Sequence, residues 1–343
     1  MSEWETVGAE SWEGLAKLLG AMGFIFVFAG ILVTGWVRTH NAYRSFDLYE
    51  YKWQLLLQER APCDWLLLGD STGNLGLDAA LFEKRLGGRA LNLSTTIATS
   101  SAADAWFVET LIHRGVIPTH VVVMRTLLSW ISERPAASSW SRIPLSWKER
   151  RRLRPEIGEN MTSVFTRYWP PFAALGASLE FPTAAVPKQM VVEIDGFQGN
   201  MVTDPSYLLQ EVPSRKLPPG EKGEFSLTPS ATASLRILSD EAARYGFDLY
   251  IVFPPWQEEH QNSPEIREYQ NVYRLLFETF LISPNVHLVS PPLTFPKRDF
   301  IDARHLSYQG AWRFTNALID QLTPILLLES VRRHDRLIKA HFR

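Results

Sequence analysis

The chain has very little cysteine and almost no net charge. Cys63 is the only cysteine among 343 residues, which excludes an internal disulfide and a cysteine-rich metal site. The net charge of −2 excludes the basic surface of a typical nucleic-acid-binding protein. Internal repeats and low-complexity tracts are also missing. What remains is an ordinary globular composition, with 45% hydrophobic and 21% charged residues.

Charge is absent from one stretch, 18–37, which reads LLGAMGFIFVFAGILVTGWV. A helix of twenty residues spans roughly 30 Å, the thickness of the hydrocarbon core of a bilayer. We therefore predict a single membrane anchor at 18–37, preceded by an acidic segment at 1–17. Two other interpretations stay open. One is a buried core helix, and the other is a cleaved signal sequence, which normally starts with basic residues and has a shorter apolar region.

The side of the membrane follows weakly from the flanking cations. Lys17 precedes the apolar stretch, whereas Arg38, Arg44 and Lys52 follow it. Counted alone, these residues favour a cytoplasmic location for the C-terminal part, because loops rich in Lys and Arg stay inside.

After a connector at 38–63, short apolar runs alternate with helical patterns. Continuous apolar runs predict strands buried on both faces, and they lie at 64–70, 90–94, 119–126, 248–255 and 286–292. Strict strand–helix alternation predicts an α/β fold: a doubly wound, flavodoxin-like parallel sheet of about five strands.

The alternation is interrupted once. The segment 131–225 holds eleven of the 22 prolines and is predicted to be an insertion outside the central sheet. It divides the α/β domain into a first part at 64–130 and a second part at 226–328. A basic tail at 329–343 follows.

Polar residues come directly after the first and last predicted strands. Ser71 follows a Gly-Asp pair at the end of the first strand, and Asp302 and His305 lie beyond the last strand. A serine hydroxyl needs a base and a group that orients that base. Carboxyl ends of parallel strands share one edge of a sheet, so these side chains are predicted to meet there. The other histidines have no metal-ligand spacing, and no metal or cofactor is predicted.

Gly-Asp-Ser after an apolar strand, paired with DARHLSYQGAWRFTNALI at 302–319, resembles the SGNH (GDSL-type) hydrolase superfamily. The resemblance covers roughly 64–126 and 228–322. It implies that Ser71 is a catalytic nucleophile, His305 its base and Asp302 the residue that orients His305. The N-terminal anchor and the large insertion resemble a membrane-tethered branch that modifies cell-envelope polymers.

This resemblance implies a membrane-anchored serine esterase or O-acyltransferase. Its substrate would be a cell-envelope polymer or a lipid, its soluble domain would lie outside the cytoplasm, and an integral-membrane protein would be its partner. An outside location contradicts the weak charge count, and the sequence leaves that conflict open.

The oxyanion donors of the family are incomplete in this sequence. The family offers a glycine N–H after the second strand, but NLSTTIATS at 92–100 contains no glycine. It offers an asparagine after the third strand, where this chain has Arg125 and Thr126. The backbone N–H of Ser71 is the natural first donor, and Asn74 or Arg125 are candidates to replace the missing ones. The alternative is therefore an inactive SGNH-like accessory subunit of a membrane protein complex.

Two basic segments and three aromatic residues of the last helix also allow predictions. The run KERRRLR at 148–154 is predicted to be a solvated helix face or a site for anionic lipid or polymer. The tail at 329–343 mixes cations with apolar residues, a pattern that suits an interfacial or partner-binding helix or a frayed terminus. Tyr308, Trp312 and Phe314 are predicted to pack in the core.

Overall fold

A computed structural model provides the structure of the chain. The residues that it describes are 3–39, 52, 55–58, 61–95, 101–131, 190–191, 201–202, 226–260, 264–278, 280–281, 283–290, 294–302 and 304–341. Most of the predicted insertion, including the basic run at 148–154, lies outside the described residues. Within it, Met190–Val191 and Met201–Val202 form a short antiparallel pair that is separate from the central sheet.

Five parallel strands form the central sheet. They are β1 (Trp65–Gly69), β2 (Ala90–Asn92), β3 (His120–Met124), β4 (Asp248–Val252) and β5 (Val286–Val289). Their order is β2-β1-β3-β4-β5. The predicted parallel sheet of about five strands is confirmed, with three strands before the insertion and two after it.

Helices alternate with these strands along the chain. They are α1 (Glu3–Thr39), α2 (Ser71–Gly76), α3 (Ala79–Leu86), α4 (Ala102–His113), α5 (Leu127–Ile131), α6 (Pro229–Tyr245), α7 (Pro264–Glu278) and α8 (Tyr308–His341). Local sequence signals explain their ends. Thr228 caps α6 through the Ala231 N–H, and Pro229 and Gly246 stand at its start and its end.

Successive strand residues point to opposite faces of the sheet, and each face has its own apolar core. On one face, Leu66 and Val123 belong to a cluster with residues of α4, α6 and α7. On the other face, Leu67 and Val122 belong to a cluster with residues of α3 and α8. The continuous apolar runs of the sequence therefore reflect strands that are covered by helices on both faces.

The N-terminal apolar stretch forms one continuous helix, α1. Within it, the window Gly14–Leu32 is long and apolar enough to cross a membrane, and only 6% of that window is buried. This exposure rules out the interpretation of the stretch as a core helix. A membrane span and a signal sequence both remain compatible with it.

The prediction that three aromatic residues of helix α8 pack in the core is wrong for two of them. Phe314 is fully buried, as predicted, but Tyr308 and Trp312 are 52% and 50% exposed. The two exposed residues are four positions apart and therefore share a helix face, which points away from the core. The apolar pattern of the sequence could not separate this face from the buried one, because large aromatic residues occur on both.

Candidate active site

The end of β1 is shaped by a glycine. Gly69 has a φ of +147°, and a Cβ built on it would lie 1.9 Å from the carbonyl oxygen of Met124. Only glycine permits this close approach between β1 and β3. The chain then turns sharply into α2, so that Ser71 becomes the first residue of that helix.

Asp70 fixes this turn with a buried carboxylate. Its Oδ1 accepts hydrogen bonds from the N–H and the hydroxyl of Thr72, at 2.9 and 2.6 Å. Its Oδ2 accepts from the N–H and the hydroxyl of Thr126, at 2.9 and 3.0 Å, and from the hydroxyl of Ser129. The carboxylate therefore caps α2 and joins it to the turn that follows β3.

These contacts keep Asp70 ionised. Burial alone would raise the pKa of its carboxyl group, but the positive charge of Arg125 and the hydrogen bonds of Ser129, Thr72 and Thr126 outweigh burial and lower that pKa. The residue directly before Ser71 is thus a fixed negative charge that the protein itself stabilises.

His305 lies in a tight loop between the last sheet strand and α8. The loop is closed by a bridge between Phe300 and Leu306 and by hydrogen bonds from Ile301 N–H to the His305 carbonyl and from Ser307 N–H to the Asp299 carbonyl. The loop therefore holds the backbone of His305 in place before the chain enters α8.

Inside this loop, Asp302 folds back on the chain. Its Oδ1 accepts from the N–H groups of Arg304 and His305, both at 2.8 Å. Such side-chain to backbone bonds stabilise the turn and leave the second carboxylate oxygen, Oδ2, directed at the imidazole of His305.

Ser71, His305 and Asp302 meet in one hydrogen-bonded chain. The Oγ of Ser71 lies 2.8 Å from Nε2 of His305, and Nδ1 of the same ring lies 2.7 Å from Oδ2 of Asp302. Because an ionised carboxylate only accepts hydrogen bonds, Nδ1 donates to Asp302, and in the neutral form of the ring this leaves the Nε2 lone pair for the Ser71 hydroxyl. The structure thus brings together the three side chains that the sequence singled out.

The charge of Asp302 is maintained by its surroundings. Burial would raise the pKa of its carboxyl group, but the hydrogen bond and charge of His305 and two backbone N–H groups outweigh it and lower that pKa to about 2. The carbonyl of Asp302 is held as well, because it accepts a 2.9 Å hydrogen bond from Nε2 of Gln257. Gln257 belongs to a short strand, Trp256–Gln257, that pairs with Thr294–Phe295.

Helix α8 holds both halves of the site. The hydroxyl of Thr315 donates to the carbonyl of Gly76 at 3.0 Å and accepts from the N–H of Asp78 at 3.1 Å, which attaches the end of α2. Nη1 of Arg313 contacts both carboxylate oxygens of the buried Asp299, at 2.7 and 2.9 Å, which attaches the His305 loop. One rigid helix therefore sets the distance between Ser71 and His305.

A developing oxyanion at Ser71 needs hydrogen-bond donors that are not already bonded elsewhere. The N–H of Ser71, as the first of its helix, has no acceptor within that helix. The N–H of Thr95 is already used, because it donates to the Gly69 carbonyl at 3.0 Å. The backbone groups of 96–98, which follow Thr95 in the same loop, lie outside the described residues.

Asn74 and Arg125, the two candidate side-chain donors, have very different environments. Asn74 lies one turn after Ser71 on α2, is 3% exposed, and its Oδ1 is buried without a hydrogen-bond partner. Arg125 is fully buried, and its Nε and Nη2 contact the two carboxylate oxygens of Asp104 at 2.5 and 2.9 Å. The structure therefore places the Arg125 guanidinium in an ion pair beneath the site.

Sequence reasoning missed three polar residues that support the site, and the first is Asp104, the buried partner of Arg125. The second is Asn92, at the end of β2. Its Nδ2 donates to the carbonyls of Gly73 and Leu77, at 3.3 and 2.9 Å, and so holds the helix α2 and the residue that follows it.

The third missed residue is Lys52, from the connector. It is fully buried, and its Nζ donates to the Asn92 carbonyl at 2.7 Å. No sequence pattern distinguishes these three residues from ordinary surface polar residues.

The chemistry of the arrangement follows from its geometry. A neutral imidazole between a serine hydroxyl and a carboxylate can take the serine proton and is stabilised when it becomes charged. Among the described residues, no group of three or more His, Cys, Asp or Glu side chains has an arrangement that could hold a metal ion.

Comparisons with known proteins add no family. The chain matches no protein-family model and no curated protein sequence.

Proposed function

We propose that the protein is a membrane-anchored serine esterase or O-acyltransferase of the SGNH type. The observation that carries the proposal is the chain of two hydrogen bonds from Ser71 through His305 to Asp302. Its members come from opposite ends of the α/β domain, with 234 positions between Ser71 and His305. A serine that only caps a helix has no need of a distant His–Asp pair.

The proposed reaction proceeds in two steps. In the first, Nε2 of His305 takes the proton of Ser71, the Oγ forms a bond to the acyl carbonyl carbon, and the leaving alcohol takes the proton from His305 as its bond to the acyl group breaks. In the second, His305 takes a proton from water or from an acceptor hydroxyl, whose oxygen attacks the acyl–Ser71 ester, and His305 returns that proton to the Oγ of Ser71 as the ester bond breaks. Asp302 stabilises the charged imidazole in both steps.

We assign the oxyanion to the N–H of Ser71 and to the side-chain amide of Asn74. Asn74 lies one turn after Ser71 on α2, and its Nδ2 group is the part of the amide that can donate to an oxyanion. Its Oδ1, which is buried without a hydrogen-bond partner, is an acceptor and would repel an oxyanion. The buried ion pair with Asp104 favours a structural role for Arg125 over direct contact with substrate.

The fold and location complete the proposal. We infer a doubly wound, flavodoxin-like arrangement, because the order β2-β1-β3-β4-β5 is the order of that class. We infer that α1 spans the membrane and that the α/β domain lies outside the cytoplasm. There it would act on an envelope polymer or lipid beside an integral-membrane protein partner.

A second candidate function is an inactive accessory subunit of a membrane complex. The specific observation in its favour is that the Thr95 N–H, a candidate second donor, is already bonded to the Gly69 carbonyl. Removing one oxyanion donor typically costs about 10²–10³ in rate, so a site with too few donors would be inert despite a complete triad.

Acylation by an activated ester distinguishes the two functions. The purified full-length protein is incubated with p-nitrophenyl acetate, quenched in acid and digested, and the peptide that contains Ser71 is measured by mass spectrometry. The enzyme proposal predicts one added acetyl group on Ser71, lost in Ser71→Ala and formed about 10²–10³ times more slowly in Asn74→Ala. Absence of acetyl–Ser71 in a folded wild-type protein supports the accessory subunit instead.

A further inference from the structure

Helix α8 is much longer than the sheet that it covers. Its buried apolar residues end at Leu322, just before Pro324. Beyond this proline the helix continues to His341, and Leu327 and Leu328 are 63% and 62% exposed. Ile325 and Leu326 are still packed against the core, so we call residues 327–341 the α8 extension. Its exposed leucines form a small apolar surface of the kind found at membrane or partner contacts.

The sequence of the α8 extension is amphipathic on a helical projection. With about 100° per residue, Leu327, Val331 and Ile338 fall within roughly 40° of one another. Arg332, Arg336 and Lys339 fall within roughly 60° of one another on a different face, centred about 130° away. A narrow apolar stripe beside a basic face is the pattern of helices that lie in a membrane interface.

The positive charge of the α8 extension indicates that its binding surface is negatively charged. Between 330 and 341 the chain has four cations, Arg332, Arg333, Arg336 and Lys339, against a single carboxylate, Asp335. Such an excess complements an anionic lipid surface on either side of the membrane, because each cation near lipid phosphates adds to the attraction. A bilayer is also within reach of this chain, because α1 is long and apolar enough to cross one.

We propose that the α8 extension lies flat on an anionic lipid bilayer, with the helix face of positions 327, 331 and 338 towards the acyl chains and the face of positions 332, 336 and 339 towards the lipid phosphates. This is a second membrane contact in addition to α1, and it does not depend on the catalytic proposal. Because α8 begins three residues after His305 and also holds α2, the contact fixes the candidate site relative to the membrane surface.

Hydrogen exchange on the full-length protein in lipid nanodiscs tests the proposal. We expect amides of 327–341 to exchange at least several-fold more slowly in discs containing phosphatidylglycerol than in discs of phosphatidylcholine alone. The difference should shrink at high salt, since ions screen the attraction. Amides of 310–322, which lie in the packed half of α8, report whether the domain remains folded in every sample.

Matched variants separate lipid binding from other causes of protection. The triple variant Arg332→Glu, Arg336→Glu and Lys339→Glu should lose the protection in anionic discs, and Ile338→Asp should weaken it. The variant Lys84→Glu, Arg236→Glu and Arg244→Glu makes the same change of charge at exposed positions of α3 and α6 and should retain it. Equal protection in both kinds of disc, or protection that survives the 332/336/339 triple variant, would overturn the proposal.

Discussion

A Cβ on Gly69 would lie 1.9 Å from the carbonyl oxygen of Met124, so β1 and β3 are in contact at the position where the chain turns towards Ser71. No side chain can yield here, because the obstacle is backbone of the central sheet. The position of the candidate nucleophile therefore depends on the absence of one methyl group.

Gly69→Ala should displace the end of β1 and the start of α2. We expect a lower midpoint of thermal unfolding and loss of reactivity at Ser71. Gly246→Ala is the control: Gly246 also has a positive φ, +77°, but nothing lies within 4 Å of a Cβ there. That variant should incur only the backbone strain, about 1–2 kcal/mol. Equal destabilisation by the two variants would contradict the importance of the Met124 contact.

Asp302→Asn should preserve the shape of the triad but remove its negative charge. By analogy with serine triads in general, loss of the orienting carboxylate lowers the rate by about 10⁴. The measurement is the rate of acetyl–Ser71 formation by the variant and the wild-type protein at one pH. A rate within tenfold of the wild-type rate would mean that Asp302 does not orient a catalytic His305.

Asp302 should also make the free energy of unfolding depend on pH in the acid range. Its pKa is lowered to about 2 in the folded chain, against about 3.9 in an unfolded one. A lowered carboxyl pKa stabilises the fold fully above the unfolded value, and this contribution is lost as pH falls from about 4 to about 2. Urea unfolding of wild type and Asp302→Asn should therefore converge over this range. A stability difference that does not change between about pH 5 and about pH 2 would contradict this assignment.

Variants of the buried ion pair between Arg125 and Asp104 test whether Arg125 has a structural or a catalytic role. Arg125→Met leaves the Asp104 carboxylate buried without its partner and should cost about 3–5 kcal/mol of stability. The double variant Arg125→Met and Asp104→Leu removes the unpaired Asp104 carboxylate and should recover part of that loss, because the buried Asp70 still lacks the positive charge of Arg125. If it also retains acetyl–Ser71 formation, Arg125 is not an oxyanion donor. If the double variant is stable but forms no acetyl–Ser71, Arg125 would again be a candidate oxyanion donor.

Lys52 should make the free energy of unfolding depend on pH in the alkaline range, whereas Asp302 acts in the acid range. Burial lowers the pKa of its ammonium group to about 7, against about 10.4 when unfolded. Below about pH 7 the folded chain carries a buried charge, and this cost is relieved as pH rises from about 7 to about 10. Wild type should therefore gain stability relative to Lys52→Met over that interval in thermal unfolding. A constant difference between the two proteins would show that Lys52 does not titrate in the fold.

The sequence predicts the sheet better than it predicts the supporting parts of the site. Short apolar runs that alternate with helical patterns predict the buried strands, and parallel topology then brings Ser71 and His305, which follow the first and last strands, to one edge of the sheet. The ion pair of Arg125 with Asp104, by contrast, joins side chains 21 positions apart whose burial is decided by tertiary packing. The exposure of Trp312 was also unpredictable, because an aromatic residue fits either face of an amphipathic helix.

The central claim is that Ser71 is an activated nucleophile. A fluorophosphonate probe reacts with such serines, so the full-length protein is labelled with it and the modified residue is located by mass spectrometry. Ser101→Ala is the matched control, because the hydroxyl of Ser101 is buried without a hydrogen-bond partner. Our account predicts labelling at Ser71 in the wild type and in Ser101→Ala, and none in Ser71→Ala. A folded wild-type protein that takes up no probe, or equal labelling of Ser71→Ala, would contradict it.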